Sequence, residues 1–378
     1  MVGKMKDCMN HKYPIGFIIL IVAVSYHCKA FSEPVTGKER LKLIRADSLI
    51  NIFAEEKEII ELWGAVQLQQ GRALLNCDHA VWWEKEDRAT LYGQVYIFDG
   101  KRELWADRVG YNGQERIETA DGHVIMKNLD RVLTARQVIY RQEKEEALAT
   151  GDVMIQDILE NLTLQGGRIF HNRQNDYSLA EYDPVLVRID TASQDTLRIY
   201  GLKMEVWGTD EQAVVTDSVH IYKGDLRARC RRAEYRGGEE VLVLTEQPQV
   251  IHRKQTMTGD SIDVFLDMVH FKGALIRGHA MIVSTDSIYQ DKLKGGRIHV
   301  ETEQDTVRKV TVENQAESFY HIYNEDDIYE GTNTVTGDRI ELEFEDAALH
   351  RINVQSSPGQ CTGIYSPADM VERENQGR

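Results

Sequence analysis

The chain has 378 residues, with 61 acidic side chains against 45 basic ones and a formal net charge of −16. That length is ample for a large apolar core, and so acidic a surface argues against nucleic acid as a partner. Residues 1–30 read as a secretory signal: Lys4, Lys6 and Lys12 precede an apolar run from Ile15 to Val24, and Cys28-Lys29-Ala30 offers a small-residue cleavage site before Phe31. A retained membrane anchor is the alternative reading of this segment, and a lipoprotein signal is disfavoured by Tyr26 and His27 ahead of Cys28. Removing the segment takes away four lysines and one aspartate and leaves the remainder near −19. The expected location is therefore outside the cytoplasm.

Residues 31–43 read as a linker, after which a repeat begins. Units align on a small residue at Ala46, Cys77, Ala106, Ala135, Gly166, Gly201, Cys230, Gly259, Gly295 and Gly337. The spacings are 31, 29, 29, 31, 35, 29, 29, 36 and 42, a period of about thirty that loosens toward the C-terminus. Three residues after each anchor the side chain is apolar (Leu49, Ala80, Val109, Val138, Ile169, Met204, Ala233, Ile262, Ile298, Ile340), and two after it is polar throughout. Five after, Trp82, Tyr111, Tyr140, Val206, Tyr235, Val264, Val300 and Leu342 are apolar or aromatic, with Asn51 and His171 as exceptions. Such period-two alternation predicts antiparallel strands with one buried face, and it is incompatible with a helix.

A second phrase follows each anchor by sixteen to nineteen residues. It opens on Gly64, Gly93, Gly122, Gly151, Asp217 or Gly278, and it continues with apolar pairs such as Val66 and Leu68, Val95 and Ile97, Val124 and Met126, and Val153 and Ile155. We read the small residue and this glycine as the starts of two successive strands, giving ten two-strand units and about twenty strands in an all-β fold. Pro184 and Pro248 stand where the second phrase would begin in two other units, a position that tolerates proline. The strongest repeats occupy 44–190. Residues 191–365 continue the same sheet stack or form a second one, and 366–378 read as a disordered polar tail. Of the three cysteines beyond the signal, Cys77 and Cys230 occupy the same anchor position and are expected to be small buried side chains rather than disulfide partners.

No catalytic constellation emerges. There is no Gly-x-Ser-x-Gly, no phosphate loop and no His-Glu-x-x-His, so no enzymatic activity, cofactor or metal is expected. Arg227, Arg229 and Arg231 form a local reversal of charge on one face of a strand, where they could contact phosphate; a solvated strand face is the plainer reading. Trp82, Trp83 and Trp105 could touch acyl chains or fill a core.

The phrase small-Asp-x-apolar-x-aromatic, at Ala46-Asp47, Cys77-Asp78, Ala106-Asp107, Gly259-Asp260 and Gly337-Asp338, followed by Gly-x-Val-x-Ile, resembles the OstA-like repeat of LptA, LptC and the periplasmic part of LptD. Five units carry Arg136, Gly167, Leu202, Arg231 or Gly296 in place of the Asp, so the Asp has no general role. The resemblance implies an elongated twisted β-jellyroll, open at both ends, with lipid chains between two apolar sheet faces. It further implies a periplasmic lipopolysaccharide carrier or bridge between the inner and outer membranes. Its partners would be lipopolysaccharide, through the lipid A acyl chains, and other transport proteins or further copies joined by edge-strand pairing. On this resemblance the groove is lined by Val66, Leu68, Val95, Ile97, Val109, Tyr111, Val124, Met126, Val138, Tyr140, Val153 and Ile155. A membrane-anchored LptC-like subunit, and a β-solenoid enzyme or structural protein of the envelope, are the competing expectations.

Overall fold

The computed structural model describes residues 41–368 apart from 55–56, 160, 190–194, 211, 267–270, 286–289, 304–305, 325–327 and 346–347. The expected signal at 1–30 and most of the expected linker at 31–43 lie outside the described residues; within that linker, Lys42 and Leu43 already belong to the strand Lys42–Arg45. At the other end Thr362–Pro367 is a strand segment, so chain pairing reaches two residues past 365.

The described chain is almost entirely antiparallel strand in one hydrogen-bonded sheet of 26 segments. Each strand pairs with its sequence neighbours, from Lys57–Gln70 against Ala73–Trp83 through to Tyr329–Glu345 against Ala348–Gln355. Pairing runs without a gap through the region of loosened spacing, where Leu162–Asn172 leads to Tyr177–Glu181 and Val185–Ile189, then to Thr196–Tyr200 and Lys203–Trp207.

Neither repeated phrase starts a strand, and this corrects the sequence reading. Both phrases lie in mid-strand, at a bend that every strand makes. Trp63 pairs with His79 and Val66 with Cys77, so Gly64 and Ala65 together oppose Asp78 alone. Two residues against one is a β-bulge, which kinks the strand and increases its twist. The same offset recurs from strand to strand, for example between Tyr92 and Val95 and between Asp121 and Val124. In some strands the bend breaks the regular ladder and divides them into two segments, as at Gly201-Leu202 and Glu246-Gln247. Merging those segments gives twenty bent strands, ten with the small residue at the bend and ten of the alternate kind, so the expected number stands although the boundaries move.

Backbone conformation explains the chemistry of the bend. Nine alternate strands turn through two consecutive residues of positive φ, from Gly64 (76°) and Ala65 (41°) to Asn314 (64°) and Gln315 (61°). The first of the pair is glycine at 64, 93, 122, 151 and 278, and in four of those five the preceding strand presents the motif Asp. A Cβ on Gly122 would lie 2.2 Å from Asp107 Oδ2, and one on Gly278 would lie 2.1 Å from Asp260 Oδ2. The Asp and the Gly are thus two sides of one contact. Where the Asp is missing at Gly167, Leu202 and Arg231, the bends opposite are Tyr182-Asp183, Asp217-Ser218 and Glu246-Gln247. The backbone amide keeps its role there: Leu202 N–H donates to Thr216 O and Asp217 O, both at 3.1 Å, as Asp260 N–H does to Arg277 O and Gly278 O.

The small anchor is small for a different reason. It sits on the inner side of the bend, next to an inward residue of the following strand. A Cβ on Gly201, Gly259, Gly295 or Gly337 would meet the γ-methyl of Val215, Ile276, Val312 or Val354 at 2.4 to 2.8 Å. Ala and Cys stand at anchors whose facing residue is Leu or Ala, as with Cys77 near Leu91 and Ala106 near Ala120. Cys77 and Cys230 are buried and unbonded, as expected, and burial pushes their thiols up to about 11 and about 12.

Candidate functional site

The bend divides the sheet into two arms. One, the A arm, carries Leu62, Ala80, Leu91, Val109, Ala120 and Val138 on its inner face; the B arm carries Val66, Leu68, Val95, Ile97, Val124 and Met126. Inner residues of both arms form one apolar cluster that runs from Leu62 to Leu342. All twelve proposed groove residues face inward. Val66, Leu68, Val95, Val109, Val124, Val138, Tyr140, Val153 and Ile155 are buried, whereas Ile97, Tyr111 and Met126 are only half-buried.

Exposure inside the cluster depends on place. Near the bend the interior is closed in the strands that follow the first, with Val66, Val95, Val124 and Val153 at 1%. Toward the arm tips, Trp82, Ile97, Tyr111, Met126 and Leu133 remain half-buried. Farther along the chain the corresponding tip positions close too: Val250, Met257 and Val264 are at 0% and Ile282 at 5%. His171, an exception to the apolar rule, is accommodated because its Nδ1 meets Ser178 Oγ at 3.0 Å on the paired strand.

Sequence reasoning missed one inner residue. Glu118 lies between Tyr111 and Tyr140 in register on the inner face of the A arm. Burial pushes its carboxyl up to about 7, opposed by a hydrogen bond from Gln142 and by the charge of Arg102 at the tip of the B arm. The signal was present, because the residue four before the paired positive-φ bends is Ile60, Ala89, Ala147, Ser178, Ala213, Leu242, Ala274 or Val310 elsewhere and acidic only here. A second polar feature closes the B-arm tips: Arg131 Nε donates to Asp157 Oδ2 at 2.8 Å, with the two side chains 12% and 5% exposed.

The other candidates point outward. Arg227, Arg229 and Arg231 alternate with the buried Leu226, Ala228 and Cys230 and are exposed on the outside of the B arm. Arg231 sits 4.0 Å from both Asp217 and Glu246. Of the tryptophans, Trp82 faces the interior, but Trp83 lies outside beneath the Arg88 guanidinium at 4.2 Å. Trp105 is also outside, where it joins Tyr96, Asp107, His123 and Ile125 around a shallow groove at the bend. Strand parity therefore removes Trp83 and Trp105 from the interior. Among the described residues no group of three His, Cys, Asp or Glu side chains is placed to hold a metal ion, and no helix is long and apolar enough to cross a membrane.

Residues 38–183 match the family described as OstA-like protein, and residues 133–268 match the LptA/(LptD N-terminal domain) LPS transport protein family. A solved structure of LptH, the LptA homologous periplasmic component of the lipopolysaccharide transport device of Pseudomonas aeruginosa, is 12% identical. That alignment covers 38% of this chain and 82% of LptH, with a TM-score of 0.20. No curated protein sequence matches. Over residues 38–268 the chain belongs to the OstA-like family of lipopolysaccharide-transport proteins.

Proposed function

We propose that the protein is a periplasmic, non-enzymatic carrier that holds the acyl chains of lipopolysaccharide between its two sheet arms as part of a bridge from the inner to the outer membrane. The observation that carries this reading is the one-sided strand face repeated over the whole stack, with inner side chains near the arm tips left half-buried between Trp82 and Leu133. Apolar surface removed from water stabilises a complex by ~25 cal/mol per Å², so several acyl chains can be retained without a covalent step. Among the described residues the strand Ser48–Ala54 pairs only with Lys57–Gln70 and exposes Leu49, Ile50, Ile52 and Phe53. An open, apolar edge of this kind suits pairing with a neighbouring chain.

Native mass spectrometry of the full chain purified from its own envelope tests the carrier. The expected result is a bound glycolipid that is lost when Met126 is replaced by Arg. A ligand-free chain would favour a structural solenoid instead, a reading that the closed interior between Val241 and Ile282 supports for that part of the stack.

A further inference from the structure

The outside of the two arms differs in charge. On the A arm, acids and bases pair across and along the strands, as in Arg108 with Asp121, Arg277 with Asp263 and Arg339 with Glu341. On the B arm, the outward positions of Val185–Ile189, Thr196–Tyr200, the second half of Gln212–Lys223, the first half of Leu226–Arg236 and Gln249–His252 carry no carboxylate at all. Among the described residues the acids next along these strands are Asp195 and Asp225 in the turns at the arm tip and Asp217 and Glu246 at the bend, where the last two flank Arg231.

Two rungs of this face hold its basic and aromatic side chains. In one, Arg198 pairs with Tyr222 and Tyr222 with Arg227; in the next, Tyr200 pairs with His220 and His220 with Arg229. The rings lie together, Tyr200 edge-on to Tyr222 at 5.9 Å and His220 nearly parallel to Tyr222 at 6.5 Å. Among the described residues none of the three guanidinium groups has an ion pair or a side-chain hydrogen bond, unlike Arg231 farther along the same strand. Three exposed, uncompensated arginines in a chain of net charge −16 form a local anion-attracting field.

We propose that Arg198, Arg227 and Arg229, with Tyr200, His220 and Tyr222, bind a phosphorylated saccharide. The guanidinium forks match phosphate oxygens, and the ring faces and edges between them suit sugar rings. The size of the patch selects this ligand over an acidic protein. Three strands at about 4.8 Å and two rungs about 7 Å apart span one or two sugar rings, whereas a stable protein partner covers about 800 Å². The site lies outside the apolar interior, so its test is independent of acyl-chain binding.

Fluorescence anisotropy with labelled pentamannosyl phosphate and the full chain provides the test. Binding is expected to weaken at least tenfold on removal of the phosphate ester, and equally in the R198Q/R227Q/R229Q variant. R231Q should change it less than twofold. Because the three side chains are exposed and unpaired, the melting temperature should not move; if the triple variant fails to fold, R229Q alone carries the measurement. Absence of binding, equal binding of dephosphorylated pentamannose, indifference to the three substitutions, or tighter binding of poly-glutamate than of the sugar phosphate would each overturn the proposal.

Discussion

The stack from Lys57 to Arg141 and the stack from Val241 to Val312 share the same bends and pairing but enclose different interiors. In the first, alanines recur on the inner faces (Ala80, Ala89, Ala106, Ala120, Ala135), and Trp82, Ile97, Tyr111 and Met126 near the tips stay half-buried, although Leu68 and Tyr140 are closed in. In the second, Ile262, Ile276, Ile298 and Val312 stand at the positions that Ala80 and Ala120 hold in the first, all at 0% exposure. Backbone geometry is therefore set by the bend, and room inside is set by side-chain volume. The two properties are separable, which is why an unchanged repeat can accompany a changed interior.

The largest expected contrast is in truncations. Ile276→Ala removes a fully buried side chain from the closed stack and should cost about 3–4 kcal/mol, while Ile97→Ala in the half-open stack should cost less than about 1.5 kcal/mol. Equal shifts in denaturant midpoint would erase the distinction. Tip closure in the first stack relies on charge as well as packing, so Asp157→Asn, which strands the buried Arg131 guanidinium, should destabilise by about 3 kcal/mol in urea unfolding.

A smaller effect depends on pH. Glu118 in the folded chain titrates at about 7, above its ordinary 4.5, so the folded state holds the extra proton between those values. Stability is then highest below pH 4.5 and declines as pH rises through about 7. Glu118→Gln should abolish that decline and gain about 1–3 kcal/mol at pH 8; a decline of the same size in the variant would assign it to another group. The smallest effect is at a bend. Gly122→Ala adds a methyl group at φ 75° against Asp107 and should cost about 1–2 kcal/mol, with part recovered in the Asp107→Ala background.

Much of this was legible in the sequence. Alternation gave the strand type and the inward face, and the small anchor marked one point in every unit. Strand boundaries were not legible, because a glycine followed by an alternating run looks the same whether it begins a strand or bends one; only the register of Gly64 and Ala65 against Asp78 separates the two. Parity could have placed Trp105 outside, since it immediately precedes the inward Ala106, and comparison of aligned positions could have found Glu118. Arg198 and Arg227 each stand three residues before an anchor, Gly201 and Cys230, so the same comparison of aligned positions could have brought them together; what it could not supply is the register that sets Tyr222 between them.

On the proposed function, the open stack rather than the closed one holds acyl chains. Photo-crosslinking residues at Ile97 and Met126, at Ile262 and Val264, and at the outward His123 and Asp152 test it in one experiment in intact cells. Lipopolysaccharide adducts at Ile97 and Met126, with background levels at the other four positions, are predicted. Equal or stronger adducts at Ile262 and Val264, or adducts confined to His123 and Asp152, would contradict it.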